Sequence, residues 1–120
     1  NKKGVFMDGL NVTNEKKGQF NIIKCIGFID SETSKEIENL LNDLISKQEY
    51  KIIVDLSKVD YISSAGWGIF VGYVKDLRKN AGDIKFVGMK NEVRDIFEIL
   101  DFTNILEYYH DVESAVKAFK

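Results

Sequence analysis

The chain has 120 residues, enough for one domain with a substantial core. Apolar residues make up 44% and charged residues 30%, an ordinary globular balance, and the net charge of −2 favours neither nucleic acid nor an anionic membrane as a partner. No apolar run approaches the ~20 residues a membrane span requires, no secretory pattern opens the chain, and the single cysteine, Cys25, rules out an internal disulfide and fits a reducing cytoplasm.

Residues 1–9 read as an N-terminal extension or expression remnant, or as the start of a domain excised from a longer protein. Residues 10–120 read as one domain. Residues 10–13 form a weak first strand, closed by a turn at Glu15-Lys16-Lys17-Gly18. Phe20 to Ile29 is a second strand, close enough for a hairpin and apolar on both faces, so central. A helix follows over 34–47, with Ile37, Leu40, Leu41, Leu44 and Ile45 on one stripe. A third strand spans 51–56. A second long helix over 64–79 carries Ile69, Phe70, Tyr73, Val74 and Leu77, with Asn80-Ala81-Gly82 as its stop. A strand over 83–89, a helix over 91–100 with Val93, Ile96, Phe97 and Leu100, a short strand over 105–109 and a helix over 111–119 capped by Asp111 complete the order. Strand–helix alternation after an opening hairpin predicts an α/β fold: a small, mostly parallel mixed sheet flanked by about four helices. No internal repeat or low-complexity segment interrupts it.

The informative segment is Val54-Asp55-Leu56-Ser57-Lys58-Val59-Asp60-Tyr61-Ile62-Ser63-Ser64-Ala65-Gly66-Trp67-Gly68. It places two serines between a buried strand and a helix start. Unpaired N–H groups and partial positive charge there suit a serine that caps the helix, binds an anion or carries a phosphate. Capping alone is the commoner role, and the same holds for Ser31, Thr33 and Ser34 before the first long helix. Gly66 and Gly68 read as small residues that let the helix pack closely on the sheet, since the third glycine of a dinucleotide fingerprint and the Lys-Ser/Thr of a P-loop are both missing. Two readings stand for Trp67: a core aromatic, or an exposed interaction anchor beside the serines.

Other chemistries find little support. One histidine, His110, and one cysteine, far apart in sequence, cannot make a zinc site. His110 is also the only imidazole base, unconnected in sequence to any serine, which argues against nucleophilic catalysis. Cys25 reads as a small core residue.

Three segments resemble the STAS domain family, specifically its stand-alone bacterial anti-sigma-factor antagonists, over nearly the whole chain. Gly27-Phe28-Ile29-Asp30-Ser31-Glu32-Thr33 is similar to the family's Gly-x-x-Asp-x-x-Thr/Ser. The segment 53–66 is similar to its Asp-Leu-Ser and Asp-Ser-Ser/Ala-Gly signature. The third match is the tail, Phe86-Val87-Gly88 with Phe97-Glu98-Ile99-Leu100-Asp101-Phe102 and Ile105. The resemblance implies no enzymatic activity and no cofactor. It implies that Ser64 is phosphorylated by an anti-sigma factor with serine kinase activity, that the phosphorylated form no longer binds this partner, and that a metal-dependent serine phosphatase reverses the change. Asp30 and Thr33 match positions near the partner surface. One departure is that Ser63 stands where the family usually has Asp, which makes Ser63 a competing site. Trp67 stands where an aliphatic residue is more usual. The expected partner surface therefore comprises Asp30, Ser31, Thr33, Tyr61, Ser63, Ser64 and Trp67, in a cytoplasmic protein that engages neither nucleic acid nor membrane. The alternative is a ligand- or nucleotide-sensing STAS module from a larger signalling protein. The lack of a long insertion argues against the transporter type.

Overall fold

The structure, a computed structural model, describes residues 2–7, as backbone only, and 9–119. Six strands alternate with four helices after an antiparallel start: β1 (Lys2–Met7), β2 (Leu10–Lys17), β3 (Phe20–Ile29), α1 (Ser34–Ser46), β4 (Lys51–Ile62), α2 (Ser64–Lys79), β5 (Asp83–Val87), α3 (Asn91–Ile99), β6 (Glu107–Tyr109) and α4 (Val112–Ala118). The strands lie in one sheet in chain order. β1–β2 and β2–β3 pair antiparallel, and β3–β4, β4–β5 and β5–β6 pair parallel.

The expected mixed sheet is present, with β3 and β4 at its centre. Several boundaries differ from the sequence reading. β2 runs through Glu15, Lys16 and Lys17, expected as a turn, because they pair with Ile22, Asn21 and Phe20 of β3, and the turn falls at Gly18-Gln19. No element was expected before residue 10, yet Lys2–Met7 adds a sixth strand. A 3-10 turn at Phe102–Asn104 occupies the approach to β6, which begins only at Glu107. β4 runs to Ile62 rather than ending at Leu56. Its pairing with β5 stops at Asp55↔Val87, but its pairing with β3 continues through Gly27↔Val59 and Phe28↔Tyr61 to Ile29↔Ile62. Ser57, Lys58 and Asp60 look like a turn in sequence because they are exposed, while Val59 among them and Ile62 beyond them are buried.

Neighbouring strand residues point to opposite faces, and the two faces are covered differently. Ile23, Cys25, Ile52, Val54, Leu56, Ile84 and Phe86 pack beneath α1, α2 and α3 in the main core. Ile22, Ile53 and Val87 pack beneath Ala115 of α4. α4 is short, so Ile26 and Phe28, further along β3, stay partly exposed. Lys85 lies buried below α4, paired with Glu107 at 2.7 Å and Asp83 at 3.1 Å. Burial lowers its pKa, but the hydrogen bonds and charges of those carboxylates outweigh burial and hold it above the ordinary value. Among the described residues, no helix is long and apolar enough to cross a membrane.

Candidate functional site

Two loops leave the carboxyl ends of the adjacent parallel strands β3 and β4, the edge at which α/β sheets commonly bind ligands. The Ser63 amide fastens them together by donating to the Ile29 carbonyl at 2.9 Å.

The first loop is built by Asp30. Its Oδ1 accepts hydrogen bonds from the amides of Glu32 and Thr33, both at 2.9 Å. The Thr33 Oγ1 accepts from the Asp30 amide at 2.9 Å, and its own proton reaches the Phe28 carbonyl at 3.1 Å and Asp30 Oδ1 at 3.2 Å. The Ser34 amide donates to the Asp30 carbonyl and starts α1. The Thr33 and Glu32 amides hold the Asp30 carboxyl below its ordinary pKa of 3.8. Asp30 therefore shapes the loop and keeps its carboxylate ionised. Ser31 and Glu32 are exposed at the tip. Thr33, expected on the partner-contacting surface, is only 2% exposed in the free chain. It is buried because the turn closed by Asp30 folds it back under the end of β3.

The second loop gives the two serines different roles. Ser63 is the N-cap of α2, in extended backbone geometry, and its Oγ accepts from the Gly66 amide at 3.0 Å. Its carbonyl accepts from the Trp67 amide at 3.0 Å, the first backbone bond of the helix. This is the work an Asp would do at the same position. Ser64 is the first helical residue and is exposed. Its hydroxyl has no hydrogen-bond partner among the described residues. Gly66 is needed for close approach: a Cβ there would lie 2.9 Å from Ile29 Cγ2 and 3.1 Å from the Ile29 carbonyl oxygen. Gly68 faces open space, so the packing role expected of both glycines belongs to Gly66 alone.

Trp67 is 0% exposed. Its ring lies 5.2 Å from Phe97, 5.5 Å from Phe86, 5.7 Å from Phe102 and 6.2 Å from Phe70. The core reading holds, and the expectation of Trp67 as a surface anchor is corrected. The buried face of α2 runs through Gly66, Trp67, Phe70, Val74 and Leu77, leaving Ile69 and Tyr73 on its flanks. Of the expected surface, Ser31, Tyr61 and Ser64 are exposed, and Asp30 and Ser63 are half-buried. Of the apolar residues that the sequence reading set on α3, Val93 and Phe97 are buried, whereas Ile96 and Leu100 are exposed. The signal was ambiguous, because two apolar stripes share α3.

Burial pushes the Cys25 thiol up to about 12, with Asp55 adding to the rise, so the thiol is no nucleophile. No cluster of His, Cys, Asp and Glu able to hold a metal occurs among the described residues.

A capped loop and a serine-bearing helix start thus stand side by side at the ends of two parallel strands of an α/β domain, with the Ser64 hydroxyl exposed. The STAS domain family model matches residues 11–115, and the chain belongs to that family. It is 34% identical over 100 residues to BtrV of Bordetella bronchiseptica, a candidate anti-sigma factor antagonist by its name, covering 82% of this chain and 86% of that one. It is 28% identical over 104 residues to the anti-sigma-B factor antagonist of Staphylococcus aureus, covering 87% and 96%. The crystal structure of an anti-sigma factor antagonist from Mycobacterium paratuberculosis superposes with a TM-score of 0.84 at 20% identity, covering 93% of this chain and 95% of that one, and so shares the fold.

Proposed function

We propose that this chain is an anti-sigma factor antagonist: unmodified, it binds an anti-sigma factor that is also a serine kinase, and phosphorylation of Ser64 releases it. The observation that carries the reading is the division between the serines. The Ser63 hydroxyl is occupied as a cap acceptor, while Ser64 presents an exposed, unpartnered hydroxyl one residue on. The names of the relatives support the partner class.

The chemistry at Ser64 follows from its place. A helix start favours negative charge, so a phosphate of roughly −1.5 to −2 there does not work against the fold. For phosphoryl transfer, the hydroxyl must face the γ-phosphate of the kinase's bound nucleotide. A phosphate on Ser64 then meets other phosphates across a closed contact. Unpaired or like charge in such a contact costs on the order of 2–5 kcal/mol, and 3 kcal/mol is roughly a hundredfold in affinity. A metal-dependent phosphatase restores the binding form.

The test combines mass spectrometry after incubation with the cognate kinase and ATP with calorimetric titration of Ser64→Asp and Ser64→Ala. The expected results are phosphate on Ser64, loss of about a hundredfold in affinity for Ser64→Asp, and retained binding for Ser64→Ala. Phosphate on Ser63, Ser31 or Ser57 instead, or parental affinity in Ser64→Asp, would overturn the switch.

A further inference from the structure

Beyond Asp55, β4 has lost its β5 neighbour, and α3 lies against that side of the strand, with Lys90 Nζ paired to Asp60. A cavity of about 220 Å³ sits between them. Ile62, Val93 and Trp67 form its buried wall, with Glu92 beside them, and Tyr61 and Ile96, 55% and 41% exposed, form its lips. Ile99, 75% exposed, and Leu100 continue the apolar surface from Ile96 at helical spacing. The Trp67 Nε1 is buried with no acceptor among the described residues.

Charge selects the occupant. α3 carries Glu92, Asp95 and Glu98 against one cation, Arg94. Asp60 is neutralised by Lys90, whereas Glu92 has no ionic or hydrogen-bond partner among the described residues. The volume suits one side chain and falls below that of ordinary cofactor and drug-sized sites. Tyr61 stands three residues before Ser64 and Trp67 three after it, so the cavity adjoins the switch. We propose that this cavity anchors the anti-sigma factor, taking one apolar side chain from a basic segment of that protein, which pairs with Glu92. The proposal rests on the antagonist reading and names a second contact for the same partner. Hot spots of protein interfaces have this form: an apolar anchor filling a pocket, ringed by polar contacts.

The experiment titrates the unmodified chain, Glu92→Lys, Ile96→Ala, Tyr61→Ala, Ser64→Asp and a distant control, Lys117→Glu, against the kinase that phosphorylates the chain. Circular dichroism confirms folding. The three lip variants change exposed side chains. Each should weaken binding by roughly tenfold or more, Glu92→Lys chiefly through slower association, with Lys117→Glu unchanged. A charge-reversed basic residue in the kinase segment should recover the loss in Glu92→Lys. If the lip variants bind within about twofold of the parent while Ser64→Asp loses binding, the anchor is overturned and the switch stands. If the lip variants lose binding but Ser64→Asp does not, the switch is overturned and the anchor stands. A parent that does not bind the kinase overturns both.

Discussion

Removing the Ser63 hydroxyl tests its role as the cap of α2. In Ser63→Ala, the Gly66 amide loses its acceptor at 3.0 Å. That amide sits where the helix start presses onto Ile29, with Gly66 itself buried, so water replaces the serine oxygen poorly. Loss of an N-cap costs about 0.5–2 kcal/mol in general, and the buried donor puts this case in the upper half, about 1–2 kcal/mol. For a domain of this length, that lowers the melting temperature by roughly 4–8 °C. Ser63→Asp keeps an acceptor and adds negative charge at the positive helix end, so it should stay within about 0.5 kcal/mol of the parent or exceed it. Ser64→Ala removes an exposed, unbonded hydroxyl and should change stability by less than about 0.5 kcal/mol. Urea unfolding followed by fluorescence measures all three, because Trp67 is the only tryptophan and lies in the core. If Ser64→Ala proved the more destabilising serine substitution, the assignment of cap and free hydroxyl would be wrong.

Two further outcomes follow from the same geometry. Gly66→Ala should destabilise by about 1–3 kcal/mol through overpacking against Ile29, whereas Gly68→Ala, with nothing within 4 Å of the new Cβ, should be neutral or stabilising by up to about 1 kcal/mol; equal urea midpoints for the two would refute the close-approach argument. Acid should weaken the fold through Asp30, Glu49, Glu107 and Asp111, all held below their ordinary values: Asp30 by the Thr33 and Glu32 amides, Glu49 by Lys16 and Asn21, Glu107 by Lys85 and Tyr109, and Asp111 by Ser114. A depressed carboxylate stabilises the folded state in full above its unfolded pKa, 3.8 for Asp and 4.5 for Glu, and the contribution is lost as pH falls through the lower folded value. Urea midpoints taken downward from about pH 6 should therefore decline in the acid range, and Asp30→Asn should decline less steeply; an Asp30→Asn profile parallel to the parent's would show that this carboxylate is not held by the loop.

Periodicity made the central architecture legible. Ile22 and Ile23 are both buried because β3 is covered on both faces, and Ile37, Leu41 and Leu44 face the sheet as their spacing requires. What local pattern could not reveal depended on distant partners. The length of β4 beyond Leu56 comes from its pairing with β3, which the polar residues Ser57, Lys58 and Asp60 conceal. Trp67 was ambiguous between surface and core, because the rings of Phe86, Phe97 and Phe102 that enclose it come from β5, α3 and the following turn. Burial of Thr33 results from a carboxylate turn three residues long, visible only once the hydrogen bonds are placed. Ser64 is singled out by family resemblance; the structure adds that its neighbour Ser63 caps α2.

That cap also bears on the departure from the family pattern. An Asp before Ser64 would cap the helix and place a fixed negative charge beside any phosphate there. Ser63 caps equally through Oγ but brings no charge. Asp60, the next carboxylate back along β4, is paired with Lys90. A phosphate on Ser64 in this chain therefore meets the helix N–H groups and dipole with less like-charge opposition than it would beside an Asp. Under the proposed switch, Ser63 in place of an Asp leaves the cap of α2 intact and lowers the electrostatic cost of a phosphate on Ser64.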